Sequence, residues 1–189
     1  MEVIGIERNY IQRGLQERTY PITFRMPESL LADLRNEADT LHISLNALVK
    51  QLLDRYIIWE RHSNKMGLVP VTRPFLKDAI NNLSTVKIKA IACNASKDAL
   101  KELVLITKGN FSVGSLVAVF NEWLVASHMT YRYEYDGKAH HYVISHNLGE
   151  KWSLYLSELL TAVCKDLNTI NPLIQIRNDS VSVSFPEVE

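Results

Sequence analysis

The chain has 189 residues with 21 basic and 21 acidic side chains, so its net charge is zero. A hydrophobic fraction of 47% suits a globular protein with a real core and excludes a mostly disordered chain, while the charge balance argues against a non-specific, purely electrostatic nucleic-acid binder. No apolar run approaches the ~18 residues of a membrane span, and the acid-bearing first residues do not read as a secretory signal, so a cytoplasmic protein is expected.

Residues 1–18 read as an N-terminal arm. Between Arg8 and Arg25 the arginines Arg8, Arg13, Arg18 and Arg25 face a single acid, Glu17. From Glu28 to Asp39 the acids Glu28, Asp33, Glu37 and Asp39 outnumber Arg35. That asymmetry suits a small basic contact surface with an acidic back.

Residues 19–62 read as a first compact unit. Ile22, Phe24 and Met26 alternate with Pro21, Thr23 and Arg25, the two-residue period of a half-buried strand, and Pro27 ends it. Leu30, Leu31, Leu34, Ala38 and Leu41 then recur at helical spacing over about 28–41. After a break at 41–43, Ser44 is placed to cap a second helix. Leu45, Leu48, Val49, Leu52, Leu53, Tyr56 and Ile57 give that helix an apolar stripe over about 45–59. One strand and two helices bury little surface alone, and a lone strand leaves its edges open. Pairing with the same strand of a second copy remedies both. A homodimer is expected, with Ile22, Phe24, Met26, Leu48 and Leu52 in its core.

The strand I-T-F-R-M-P and the turn I-S-L-N-A-L-V at 43–49 resemble the ribbon-helix-helix (MetJ/Arc-type) DNA-binding family over residues 21–59. The resemblance implies an intertwined dimer whose two-stranded ribbon enters the major groove. By it, Thr23 and Arg25 read bases and Pro21 holds the first outward position, where most members carry a polar residue. His42 stands in the turn where many members have Gly. The residues themselves agree with those roles: Arg reads guanine through two hydrogen bonds, and Thr meets a base edge or a methyl. Ser44 and the amides of Leu45 and Asn46 form a helix N-terminus suited to a phosphate. Arg18, Thr19 and Lys50 lie close enough to add backbone contacts.

Residues 63–70 read as a linker because polar residues, Gly67 and Pro70 break the pattern. Residues 71–189 read as a C-terminal α+β domain of three helices followed by a β-β-α-β-β unit. Its first helix turns Phe75, Leu76, Ala79, Ile80 and Leu83 inward. The second, capped at Ser84 or Thr85, runs unbroken to Gly109 with Ile88, Ile91, Ala92, Ala95, Ala99, Leu103 and Ile106 inward. Ser112 caps the third. Cys93 and Cys164 are expected as free thiols and small core residues. Tyr131, Tyr133 and Tyr135 lead through an Asp136-Gly137 turn to a partner strand, which would set Tyr131 opposite Tyr142 and Tyr133 opposite His140. Asn147 and Glu150 have capping-box spacing before the next helix. A last hairpin turns at Asn178-Asp179 and joins Ile174 and Ile176 to Val181, Val183 and Phe185.

Two readings of the tyrosine and histidine surface stay open: a ligand or partner surface at Tyr131, Tyr133, His140, Tyr142 and His146, or a core wall beneath the helices. His128, His140, His141 and His146 lack zinc-site spacing, since alternation sends His140 and His141 to opposite sides. No hydrolase, metalloprotease or phosphate-loop motif occurs, so no catalytic residue, metal or cofactor is expected. The expectation is a sequence-specific transcription regulator, nucleoid-associated, dimeric or tetrameric on double-stranded DNA. Its C-terminal domain would sense a small molecule or add subunit contacts. An antitoxin-like protein that binds a protein partner, or an architectural DNA binder, is the alternative.

Overall fold

The computed structural model describes residues 18–63, 68–167 and 172–186. The expected arm therefore lies outside the described residues except for Arg18, as does the middle of the expected linker. The fold is mixed α+β. Two compact units divide the chain, residues 1–48 and residues 49–189.

In the first unit, residues 18–27 carry no regular secondary structure and α1 spans Glu28–Thr40. Pro27 opens the helix, since proline preorganises a first turn and ends an extended segment. The helix closes with a Schellman motif: the His42 amide donates to the Asp39 carbonyl (3.1 Å) and the Ile43 amide to the Ala38 carbonyl (3.0 Å). His42 takes the left-handed conformation this motif demands, with φ 55°. The expected strand over Ile22–Met26 is absent from the single chain, because a strand needs a neighbour to pair with and none of the described strands runs beside it.

Helix α2 spans Leu45–Arg55 and continues through a π-turn, Tyr56–Glu60, into a short α3, Arg61–Ser63. The division into units falls within α2, not in the 63–70 segment. Further along, Trp59 packs on the main core of the second unit, which ties the end of this helical stretch to that unit.

The second unit follows the expected order: α4 (Arg73–Asn81), α5 (Thr85–Ala95), α6 (Lys101–Lys108), α7 (Val113–Ala126), β1 (Thr130–Tyr135), β2 (Ala139–Ser145), α8 (Glu150–Asp166), β3 (Leu173–Ile176) and β4 (Ser180–Pro186). Ser84 and Ser112 cap α5 and α7 by accepting from the Lys87 and Ser115 amides. The single helix expected over 85–108 is interrupted by a π-turn, Ser96–Leu100, between α5 and α6. The extra residue of a π-turn rotates the inward stripe. Val104 is therefore buried, whereas Ile106 faces out. Ile91, also expected inward, is exposed on α5 before the turn. Gly109, left-handed, ends α6, and α7 leaves at 98° to it.

The four strands form one antiparallel sheet in the order β1-β2-β4-β3. The first hairpin corrects the expected register by two residues: Tyr131 lies opposite Ile144, Tyr133 opposite Tyr142 and Tyr135 opposite His140. Asp136 is the cause. Its amide still bonds across to the Ala139 carbonyl, and its Oδ1 accepts from the Lys138 and Ala139 amides (2.8 Å each), so the turn residues are Gly137 and Lys138. A shift of two leaves every side chain on its expected face. The second hairpin turns at Asn178-Asp179 as expected, with Ile174 opposite Val183 and Ile176 opposite Val181.

The inner sheet face meets α7 and α8. Phe120 sets its ring edge-on to Tyr142 (5.2 Å) and Phe185 (5.7 Å), among Leu116, Leu124, Ile144, Leu160 and Val183. A second cluster joins Ile80, Ile88, Leu148, Trp152, Leu156 and Val181. The Asn147 capping box does not form: Gly149 with φ 87° is the N-cap of α8. Its amide is held instead by Asp179 Oδ1 at 2.8 Å. Cys164 is buried as expected and its thiol is pushed up to about 11 by desolvation. Cys93 is exposed, against expectation, because α5 turns it away from the core.

Candidate nucleic-acid interface

Pro21, Thr23 and Arg25 are exposed, as are Arg18 and Thr19 before them. The intervening apolar side chains are exposed as well: Tyr20 at 75%, Ile22 at 73% and Phe24 at 54%, with Met26 half-buried. The segment thus shows polar and apolar side chains in alternation, and its apolar set is largely uncovered in the single chain. Large apolar groups left in water at a two-residue period cost free energy that a partner could recover.

Ser44 supports the helix N-terminus expected of a phosphate grip. Its Oγ accepts from the Ala47 amide (3.1 Å) and its carbonyl accepts from Leu48 (3.0 Å). The amides of Leu45 and Asn46, in the first turn, lie outside the intrahelical ladder and point along the positive end of the dipole. Leu48 is buried. Further along α2, Leu52, Leu53, Tyr56 and Ile57 are exposed. Lys50 pairs with Asp54 at 2.9 Å, an exposed i,i+4 contact weak enough to yield to a phosphate.

The tyrosine and histidine surface is the core wall of the C-terminal unit. Tyr142, His140 and His146 are buried, and Tyr131 and Tyr133 pack on the main cluster. Tyr142 donates to Asn121 Oδ1 (2.9 Å), and Tyr133 Oη bonds His140 Nδ1 (2.9 Å). Helices α7 and α8 cover this face, so the alternative of an open ligand surface is corrected. Desolvation raises the phenols of Tyr131 and Tyr142 above their ordinary range.

His146 and Ser153 form a buried pair that alternation did not reveal, since the partner comes from α8. His146 Nε2 lies 2.8 Å from Ser153 Oγ. His146 Nδ1 accepts from the Leu148 amide (3.1 Å), which leaves the ring proton on Nε2. Nε2–H therefore donates to Ser153, and the Ser153 hydroxyl donates onward to the Arg177 carbonyl (2.6 Å). A serine with its proton committed to a carbonyl, facing a histidine that is itself a donor, is a structural tie and not a nucleophile and base. Burial lowers the pKa of His146, against a smaller opposing effect of Asp179.

Among the described residues, no group of three His, Cys, Asp or Glu side chains could hold a metal ion. A shallow groove between α5 and α8 is lined by Cys93, Lys97 and Lys165 and crossed by the Lys89–Glu158 ion pair (2.8 Å). No single helix among the described residues is long and apolar enough to cross a membrane. Compared with known families, curated proteins and solved structures, the chain finds no matching family model, no matching curated protein and no matching solved structure.

Proposed function

We propose that the chain is a sequence-specific DNA-binding transcription regulator of ribbon-helix-helix type, obligately dimeric through residues 19–62. The observation that carries this reading is the exposed row Tyr20, Ile22 and Phe24 on an irregular segment that joins none of the described strands. Pairing that segment with its copy would form a two-stranded ribbon, sink Ile22, Phe24 and Met26 onto the helices, and cover Leu52 and its exposed neighbours. The opposite side of the ribbon then carries Pro21, Thr23 and Arg25 into the major groove, with Arg25 and Thr23 on base edges.

The left-handed His42 and the Ser44 cap support the second half of the reading. They turn the chain between two helices and aim the first amides of α2 outward, where a phosphate oxygen would complete their hydrogen bonding. Arg18, Thr19 and Lys50 would add phosphate contacts, Lys50 by exchanging Asp54 for the backbone. The zero net charge favours specific contacts over bulk electrostatics.

Sedimentation of the full chain, together with selection of bound fragments from a random DNA pool, tests the reading. A dimer that enriches a palindromic site is the expected result. A monomer at micromolar concentration, or no enrichment, would rule it out.

A further inference from the structure

The outer face of the sheet carries a serine, a histidine and a carboxylate in sequence. His141 on β2 stands directly opposite Ser184 on β4. His141 Nδ1 lies 2.8 Å from Ser184 Oγ, and its Nε2 lies 3.0 Å from Asp136 Oδ2 at the hairpin tip. The second oxygen of Asp136 is held by the Lys138 and Ala139 amides. Together with His141, these bonds keep the Asp136 carboxyl ionised, down to about 2. An ionised carboxylate only accepts, so Nε2 carries a proton toward Asp136, and in the neutral form of the ring the Nδ1 lone pair faces Ser184.

This polarity is the reverse of that at His146 and Ser153. There the histidine donates to a serine whose proton is spent on a carbonyl. Here the neutral form of the histidine accepts from the serine, and a third group orients the histidine, which is the arrangement that activates a hydroxyl. Ser184 is half-buried on an outer face, and Leu173, opposite it on β3, is 77% exposed and offers apolar ground beside the hydroxyl.

We propose that Ser184 is a His141-activated hydroxyl that accepts an acyl group from an activated carboxylic ester or thioester. Ser184 Oγ forms a bond to the carbonyl carbon and passes its proton to His141 Nδ1. The bond to the alkoxide, phenolate or thiolate leaving group breaks, and His141 returns the proton to that group where it is basic enough to take it. Asp136 orients the ring and balances its transient charge. β4 lies between β2 and β3, so its amides are engaged in the sheet ladders and do not stabilise an oxyanion. The site therefore acylates once and holds the group; rapid turnover is not expected.

The test is to mix full-length protein with p-nitrophenyl acetate, follow p-nitrophenolate release, and locate the acetyl group by peptide mass mapping. One acetyl per chain on Ser184 is expected. Ser184→Ala should abolish that adduct, and His141→Ala should slow its formation by about 10²-fold or more, the usual contribution of a general base. His141→Gln, which keeps a hydrogen-bonding side chain but has no comparable basicity, should be as slow as His141→Ala. Ser182→Ala, two residues away on the same strand face, should react as wild type. Near-UV circular dichroism checks that each variant is folded. Acetylation confined to Cys93 or Lys138, or of Ser184 at an undiminished rate in folded His141→Gln, would overturn the proposal.

Discussion

Phe24→Ala tests the step on which the proposed dimerisation turns. Phe24 is 54% exposed in the single chain. A phenylalanine offers about 200 Å², so roughly 100 Å² per subunit would be buried in the proposed dimer. At about 25 cal/mol per Å² that is ~2.5 kcal/mol per subunit, or ~5 kcal/mol for a symmetric pair. With 1.4 kcal/mol per decade, the dimer dissociation constant should rise by roughly three to four orders of magnitude. Sedimentation equilibrium across a concentration series reads this directly. Near-UV circular dichroism should be nearly unchanged, because the aromatic core of the C-terminal unit, centred on Phe120, Tyr142 and Phe185, does not include Phe24. A dissociation constant within threefold of wild type would refute the claim that the exposed row is an interface, because an uncovered phenylalanine can be truncated at almost no cost.

Arg25→Ala should relax base preference and cost about 1–3 kcal/mol on the selected site, as for a lost bidentate contact, whereas Lys50→Ala should weaken all sequences alike and flatten the salt dependence; fluorescence anisotropy on specific and random duplexes separates the two. His42→Gly should raise stability by up to about 1 kcal/mol, because glycine adopts the left-handed conformation without the Cβ penalty that His42 now bears; urea denaturation measures it, and a loss of stability would show that His42 makes compensating contacts. Because burial depresses the pKa of His146 below its ordinary 6.5, the unfolded chain takes up a proton more readily than the folded one below that pH. The contribution from this residue is therefore intact above pH 6.5 and declines as the pH falls toward the folded value. Denaturation midpoints at pH 7.5 and pH 5 should show this decline, and His146→Gln should remove part of it. Ser153→Ala leaves the buried Nε2–H of His146 without its acceptor and should cost about 1–3 kcal/mol in the same assay.

The C-terminal unit was legible in the sequence because its signals are local. Serine caps at 84 and 112, glycine at 109, and the alternation of tyrosines fixed the kind and order of its elements. What escaped were features that one residue of backbone geometry decides. The Asp136 side chain captured two amides and moved the turn forward, and the Ser96–Leu100 π-turn rotated a helix stripe that simple spacing carries straight through. Pairing of β2 with β4, which builds one sheet from two hairpins, has no sequence-local signature at all. At the candidate interface the alternation at 21–26 is plain in the sequence, but residues 18–27 form no strand in the single chain; under the proposed dimer that strand would form only against a second copy. His141 and Ser184 are 43 residues apart and meet only through that same β2–β4 pairing.

The central β2–β4 seam also sets how the C-terminal unit assembles and fails. Each hairpin alone is a two-stranded ribbon, marginal in water, and the two are separated in sequence by the whole of α8. The seam must close over that intervening helix, a long-range event that slows folding relative to the local helices. Until it closes, Tyr142 and Phe185 have not met, and the aromatic wall stands open to neighbouring chains. A polypeptide terminated after α8 would keep that wall permanently unsealed. Chaperone capture or aggregation is the expected fate of such a fragment, and the last seven-residue strand acts as the latch of the entire unit.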